Sequence, residues 1–230
     1  MLYTELKSKL LRIIASLGVG GMLLAAVIPL AFATSPSQPA NADEVTPPPV
    51  PNGLEVPAGN RLFLVGHAVG TQNYVCLPSG AGASFVLFTP EATLFDEEGE
   101  QIITHFFSPN PKELNTNPRV VSDNLIRAAW QDSRDTSSVW AKVEKPEHSS
   151  TDSDFVATNS IAWLKLTVAG VKDGPTGGDR LSNTTFVQRL NTRGGLAPSA
   201  RCASLADVGT TAFVPYTADY FFYKETGSDN

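Results

Sequence analysis

What most limits the fold of this chain is its punctuation. From about Leu54 onward, short runs of apolar, β-branched and aromatic residues are separated by Gly, Pro, Asn and Asp, with no sustained helical period. Such runs predict strands over 61–69, 72–77, 84–89, 92–95, 101–107, 124–130, 138–143, 161–169, 184–191 and 217–224. An all-β domain follows, an antiparallel β-sandwich or β-barrel with long loops. Between 92–95 and 101–107 stands Asp96-Glu97-Glu98-Gly99, where Asp initiates a tight turn and Gly accepts positive φ, so these two runs form a hairpin. The segment from Asn124 to Val143 is read as strands, although Leu125, Ile126, Ala129 and Trp130 also fit one helical face that Ser122 or Asp123 would cap.

The chain ahead of these runs has a different character. Lys7, Lys9 and Arg12 precede an uncharged apolar stretch from Ile13 to Phe32 that ends in Ala31-Phe32-Ala33, the small-x-small pattern of a cleaved signal peptide over 1–33. Ala40-Asn41-Ala42 offers a second cleavage point, and an uncleaved membrane anchor is the alternative. Residues 34–53 hold Pro36, Pro39, Pro47, Pro48, Pro49 and Pro51 among Ser, Thr and Asn, a composition that favours an extended linker. A single domain is then expected over 54–230, exported to a periplasmic or extracellular space. A chain of that length buries about 70% of its surface and folds without a metal.

The formal net charge is -6 at pH 7, which lacks the electrostatic footprint of a nucleic-acid binder. The chain has only two cysteines, Cys76 and Cys202. In an oxidising compartment two cysteines pair, so a Cys76–Cys202 disulfide is expected; no Cys-x-x-Cys spacing supports redox activity. Neither cysteine lies where a lipid would be attached.

Several strings belong together: Gly70-Thr-Gln-Asn-Tyr-Val-Cys76, Ala92-Thr-Leu-Phe-Asp96, Ser137-Ser-Val-Trp-Ala141, Ile161-Ala-Trp-Leu164, Thr184-Thr-Phe-Val-Gln-Arg-Leu-Asn-Thr-Arg-Gly-Gly-Leu-Ala-Pro198 and Tyr216-Thr-Ala-Asp-Tyr-Phe-Phe-Tyr223. In these the chain resembles, over about 60–224, an exported-protein family of bacteria and fungi catalogued as a domain of unknown function. The resemblance implies export and the paired cysteines, and it supplies no activity, cofactor or catalytic residue. After His105 the chain departs from the family's pattern, with Phe106-Phe-Ser-Pro-Asn-Pro111 in place of a Gly-Pro-Thr-Trp type turn.

No assembled catalytic motif is present. Gly-x-Ser-x-Gly, His-Glu-x-x-His and the phosphate-binding Gly-x-x-x-x-Gly-Lys pattern are all missing, and Ser79-Gly-Ala-Gly82 reads as an ordinary hairpin loop. No metal ligand set and no cofactor are expected. His67 falls on a face with Val65 and Val69, and His105 on one with Ile103 and Phe107, where a histidine bonded to a backbone carbonyl is the simplest outcome. His148 stands in what reads as a solvated loop, as do Asp132, Asp135, Asp152 and Asp154.

The oddest segment is 184–195, where regular alternation places Thr185, Val187, Arg189 and Asn191 on one face and Thr184, Phe186, Gln188 and Leu190 on the other. Each face mixes apolar and polar groups. Asp219 sits equally oddly beside Tyr220, Phe221, Phe222 and Tyr223, and an Arg189–Asp219 ion pair would account for both. His67, His105, Gln188, Arg189, Arg193, Asp219 and Tyr220 are therefore the candidate ligand-site or structural polar residues. Trp130, Trp140 and Trp163 would make a carbohydrate platform if exposed and core if not. The sequence-level reading is a non-enzymatic binding or structural module for a carbohydrate or small molecule; the alternative is a secreted hydrolase using a histidine and a nearby carboxylate.

Overall fold

In a computed structural model, which describes residues 46–111 and 126–227, the strand runs join into fewer and longer elements. They are β1 (Asn60–Ser79), β2 (Gly82–Phe95), β3 (Gln101–Pro109), β4 (Ile126–Asp132), β5 (Ser138–Lys142), β6 (Ser149–Ser150), β7 (Trp163–Lys172), β8 (Thr184–Gly194) and β9 (Thr211–Glu225). All pairings are antiparallel, and the order β5-β4-β3-β2-β1-β9-β8-β7 is closed by pairing of β5 with β7. The fold is an eight-stranded up-and-down β-barrel, with the two-residue β6 appended to β7. Of the two all-β architectures expected, the barrel is the one formed, and closure leaves no long unpaired edge. The segment 126–132 is strand, not helix; the stretches expected to be a leader and most of a linker, and the start of the 124–130 run, lie outside the described residues.

Two interruptions in the sequence are not breaks in the structure. Gly70 lies mid-strand because a Cβ there would stand 2.0 Å from the Glu91 carbonyl oxygen and 2.6 Å from Ala92 Cα. It permits close approach of β1 and β2. Gly70→Ala should lower stability by about 1–3 kcal/mol through overpacking; an unchanged urea midpoint would refute this. Pro90 lies within β2 just beyond its paired register with β3, where the Phe107 amide donates to the Thr89 side-chain oxygen Oγ1 at 3.1 Å. The hairpin turn is as expected: the Gly99 amide donates to the Asp96 carbonyl at 3.0 Å, and Gly99 has φ 81. Ser79-Gly-Ala-Gly82 is the β1–β2 turn, with Ser79 paired to Gly82.

One end of the barrel is packed shut. Leu94, Ile103, Val139, Val187 and Phe222 fill its lumen with Ala68 and Ala218, and Leu181 from the β7–β8 loop joins them, wholly buried. Asp132, expected to be solvated, is 1% exposed and pairs with Arg180 at 3.1 Å, tying the β4–β5 turn to that loop. A second apolar cluster lies against the outer wall: Leu54 covers Trp163, Leu190, Phe221 and Tyr223, with Val50 and Val56 alongside. Lys165 Nζ and Gln188 Nε2 donate to the Glu55 and Leu54 carbonyls, so the end of the Pro-rich stretch is a strap on the barrel, and packing reaches back to Val50. Cys76 and Cys202 are disulfide-bonded.

Candidate functional site

The opposite end of the barrel is a cup. A cavity of about 560 Å³ runs into the lumen, with buried Gln72, His105, Trp130 and Tyr220 at its floor and the more exposed Leu87, Val143 and Leu196 at its mouth. The floor groups come from β1, β3, β4 and β9, which the pairing Gly66–Tyr220 and His105–Trp130 brings into register. Gly66, like Gly70, permits close packing of β1 on β2, since a Cβ there would stand 2.9 Å from Leu94 Cδ2.

His105 stacks on Trp130, with ring centroids 4.5 Å apart and planes 9° from parallel, and Tyr220 packs against both rings. Its Nδ1–H donates to the Ala129 carbonyl at 2.8 Å, which fixes the tautomer. Burial pushes its pKa down to about 3; the Ala129 bond opposes this and the Arg189 charge adds to it. His105 is therefore neutral throughout the physiological range.

Arg189 reaches into the same lumen from β8. Its Nε and Nη2 both donate to the Ala162 carbonyl, at 3.2 and 2.9 Å, and its guanidinium also lies beside the Tyr220 hydroxyl. Tyr220 in turn meets Tyr216, hydroxyl to hydroxyl at 3.3 Å. Burial raises the pKa of both tyrosines, which therefore stay neutral and supply no counter-charge. Tyr74 donates to the Gly195 carbonyl at 2.6 Å, where Gly194 and Gly195, with φ 69 and 84, turn the chain inward after β8. That turn accounts for the consecutive glycines of the Asn-Thr-Arg-Gly-Gly string.

The expected Arg189–Asp219 pair does not form. Arg189 points into the lumen, whereas Asp219 lies on the outer wall, where its carboxylate accepts from His67 Nδ1 at 2.7 Å and Asn191 Nδ2 at 2.7 Å. The reason is register: Arg189 stands opposite Tyr220 and Leu190 opposite Asp219, so Arg189 and Asp219 fall on opposite faces of the sheet. Farther along β8 the register shifts between Leu190 and Arg193, with Asn191 at φ 51. A bulge there returns Asn191 to the outer face, so it no longer shares a side with Arg189. His67 Nε2 also meets Glu97 at 3.1 Å. Partial burial lowers the His67 pKa, but its hydrogen bonds to Asp219 and Glu97 and their charges outweigh this, for a net rise.

The candidate residues thus divide. His105, Arg189 and Tyr220 share the cup. His67 and Asp219 form the outer-wall cluster, Gln188 is buried beneath the strap with Tyr223 donating to its Oε1, and Arg193 is exposed. Gln72 and Tyr74 join the cup without having been marked as site residues, and Trp130 joins it as a buried floor group and not as part of a surface platform. The signal for Gln72 was its position two residues beyond Gly70 on the inward face of β1. The three tryptophans are 1–7% exposed, so they form no open stacking platform. His148, expected in a solvated loop, is buried.

A hydrolase would need a histidine and a carboxylate together beside substrate. In the cup these requirements separate: its histidine has Arg189 near it and no described carboxylate lines the cavity, while the His67 ring, which is paired with carboxylates, lies outside it. No group of three or more His, Cys, Asp or Glu that could hold a metal occurs among the described residues.

Fold and site together define an eight-stranded β-barrel with a polar-floored internal cup. The family described as "Protein of unknown function (DUF3455)" matches residues 57–224, and the chain belongs to it. No curated protein and no solved structure matches the chain.

Proposed function

We propose that the protein is a non-enzymatic binding module that holds a small molecule in the barrel cup. The observation that carries this reading is the combination of a cavity of about 560 Å³ with apolar walls and, at its floor, two buried donors without a protein partner, Trp130 Nε1 and Gln72 Nε2. Buried polar groups are rarely left unbonded, because each costs about 1–3 kcal/mol. A cavity of this size with a few convergent polar groups is the usual form of a small-ligand site. Binding would remove the apolar walls from water and satisfy the floor donors. Buried tryptophans weigh against carbohydrate stacking on the surface and for a ligand inside the barrel.

Export is part of the same proposal. The positively charged start, the apolar stretch and Ala31-Phe32-Ala33 fit a leader, and the Cys76–Cys202 bond fits a periplasmic or extracellular destination. No nucleic-acid partner is proposed for so acidic a chain.

The test is titration of the folded chain with the neutral apolar fluorophore N-phenyl-1-naphthylamine. The expected result is saturable enhancement at one equivalent, weakened about tenfold or more in Ala128→Phe, which narrows the cup from its half-buried wall. Enhancement that is absent, or that Ala128→Phe leaves unaltered, overturns the reading.

A further inference from the structure

The charges of the cup run against those of the chain. The protein carries a net charge of -6, yet the described residues lining the cavity include Arg127, Lys142 and Arg189 and no carboxylate. Arg189 is the innermost of the three. It donates to a carbonyl and lies beside a tyrosine hydroxyl, neither of which neutralises a guanidinium. A half-buried cation without a counter-ion carries a desolvation cost, and an incoming anion offsets that cost.

The other floor groups point the same way. Trp130 Nε1 is a donor only, and Gln72 Nε2 presents amide hydrogens; both are at least nine-tenths buried, line the cavity and lack a protein acceptor. Trp130 packs on Tyr220, which lies beside Arg189, and Gln72 lines the same cavity. The floor is thus an excess of donors around one fixed positive charge. Toward the mouth, Leu87, Phe107, Ile126, Leu164 and Leu196 present hydrocarbon.

We propose that the cup takes an amphipathic monocarboxylate, its anionic head held by Arg189, Trp130 Nε1 and Gln72 Nε2 and its apolar tail lying toward the mouth. This rests on the small-ligand reading above and deepens it by naming the ligand class. A carboxylate has two oxygens and enough lone pairs to accept from all three groups, and a charge-assisted bond to a guanidinium is roughly twice as strong as a neutral one. An alcohol of equal length retains the apolar contribution and loses the charge.

The experiment compares decanoate with 1-decanol by calorimetric titration of the wild-type folded chain at neutral pH, then repeats both with Arg189→Met, which keeps side-chain length, and Arg189→Lys, which keeps charge. In the wild type, decanoate should bind about tenfold or more tighter than 1-decanol, with the preference falling as salt is added. Arg189→Met should bring the two affinities to about the same value by weakening decanoate alone, and Arg189→Lys should retain part of the preference. Equal or tighter binding of 1-decanol by the wild type overturns the carboxylate inference while leaving the cup reading standing, and needs no variant to fold. Retention of the full preference in Arg189→Met also overturns it. Failure of both ligands to bind overturns the cup reading together with it.

Discussion

Replacing both Cys76 and Cys202 by serine is expected to cost up to about 5 kcal/mol of stability, the chain-entropy value for a bridge of this span. The two residues are 126 apart in sequence, and their bond holds the β8–β9 loop against the β1–β2 hairpin. Since small domains are stable by about 5–15 kcal/mol in total, a loss of this size is a large fraction of the whole. The bond is not the loop's only attachment: the Cys76 amide donates to the Thr210 carbonyl, the Gly209 amide to the Cys76 carbonyl and the Ala83 amide to the Ala203 carbonyl. The residual native state should therefore keep its barrel and loosen first at this loop, beside the mouth of the cup. Urea unfolding should show a lowered midpoint, and limited proteolysis should cut preferentially within 196–210. A double variant with unchanged midpoint and no new cleavage would show that the backbone bonds alone hold the loop.

Acidification should destabilise the barrel before its carboxylates titrate. His105 has an ordinary unfolded pKa of about 6.5 and a folded value pushed down to about 3. The unfolded chain therefore takes up a proton that the folded chain refuses. Stability is fully present above the unfolded value and falls as pH drops below it, by about 2 kcal/mol at pH 5 if His105 acts alone. His67 has the opposite sign: its raised folded pKa adds stability that is complete below the unfolded value and is lost as pH rises through the folded one. Its contribution is small because the group is partly exposed, and it falls mainly on the alkaline side of this window. Burial tends to raise the pKa of Asp135, but bonds from the Ser137 hydroxyl and from the Arg180 and Ser137 amides outweigh it, so this carboxylate titrates lower still. Denaturant unfolding at pH 7 and pH 5 measures the effect. His105→Phe, which keeps a ring against Trp130 and removes the titrating group, should flatten the slope whatever it does to absolute stability. An equal slope in wild type and variant would assign the acid sensitivity to other groups.

Much of the barrel was legible because strand formation leaves local marks. The runs at 101–107, 138–143 and 184–191 correspond to β3, β5 and β8 within a few residues, and the Asp96–Gly99 turn follows from side-chain and φ preferences confined to that tetrapeptide. Gly70 and Pro90 misled because the same residue types that end strands also serve inside them, for close packing in one case and just beyond the end of a strand pairing in the other. Neither function shows in a window of neighbours; it depends on what another strand brings alongside.

By itself, the order of residues determined the all-β class, the antiparallel hairpin at Asp96–Gly99 and the pairing of the only two cysteines, since each rests on local propensity or on a count. Tertiary structure alone decided that the sheet closes by β5 meeting β7, that Arg189 faces the lumen while Asp219 faces out, and that the upper lumen stays open as a cup. The physical reason is that inside and outside exist only after closure. A single bulge reverses the side that every later residue of a strand presents, and whether a lumen fills or remains hollow is set by the summed volumes of side chains from eight strands distant in the chain.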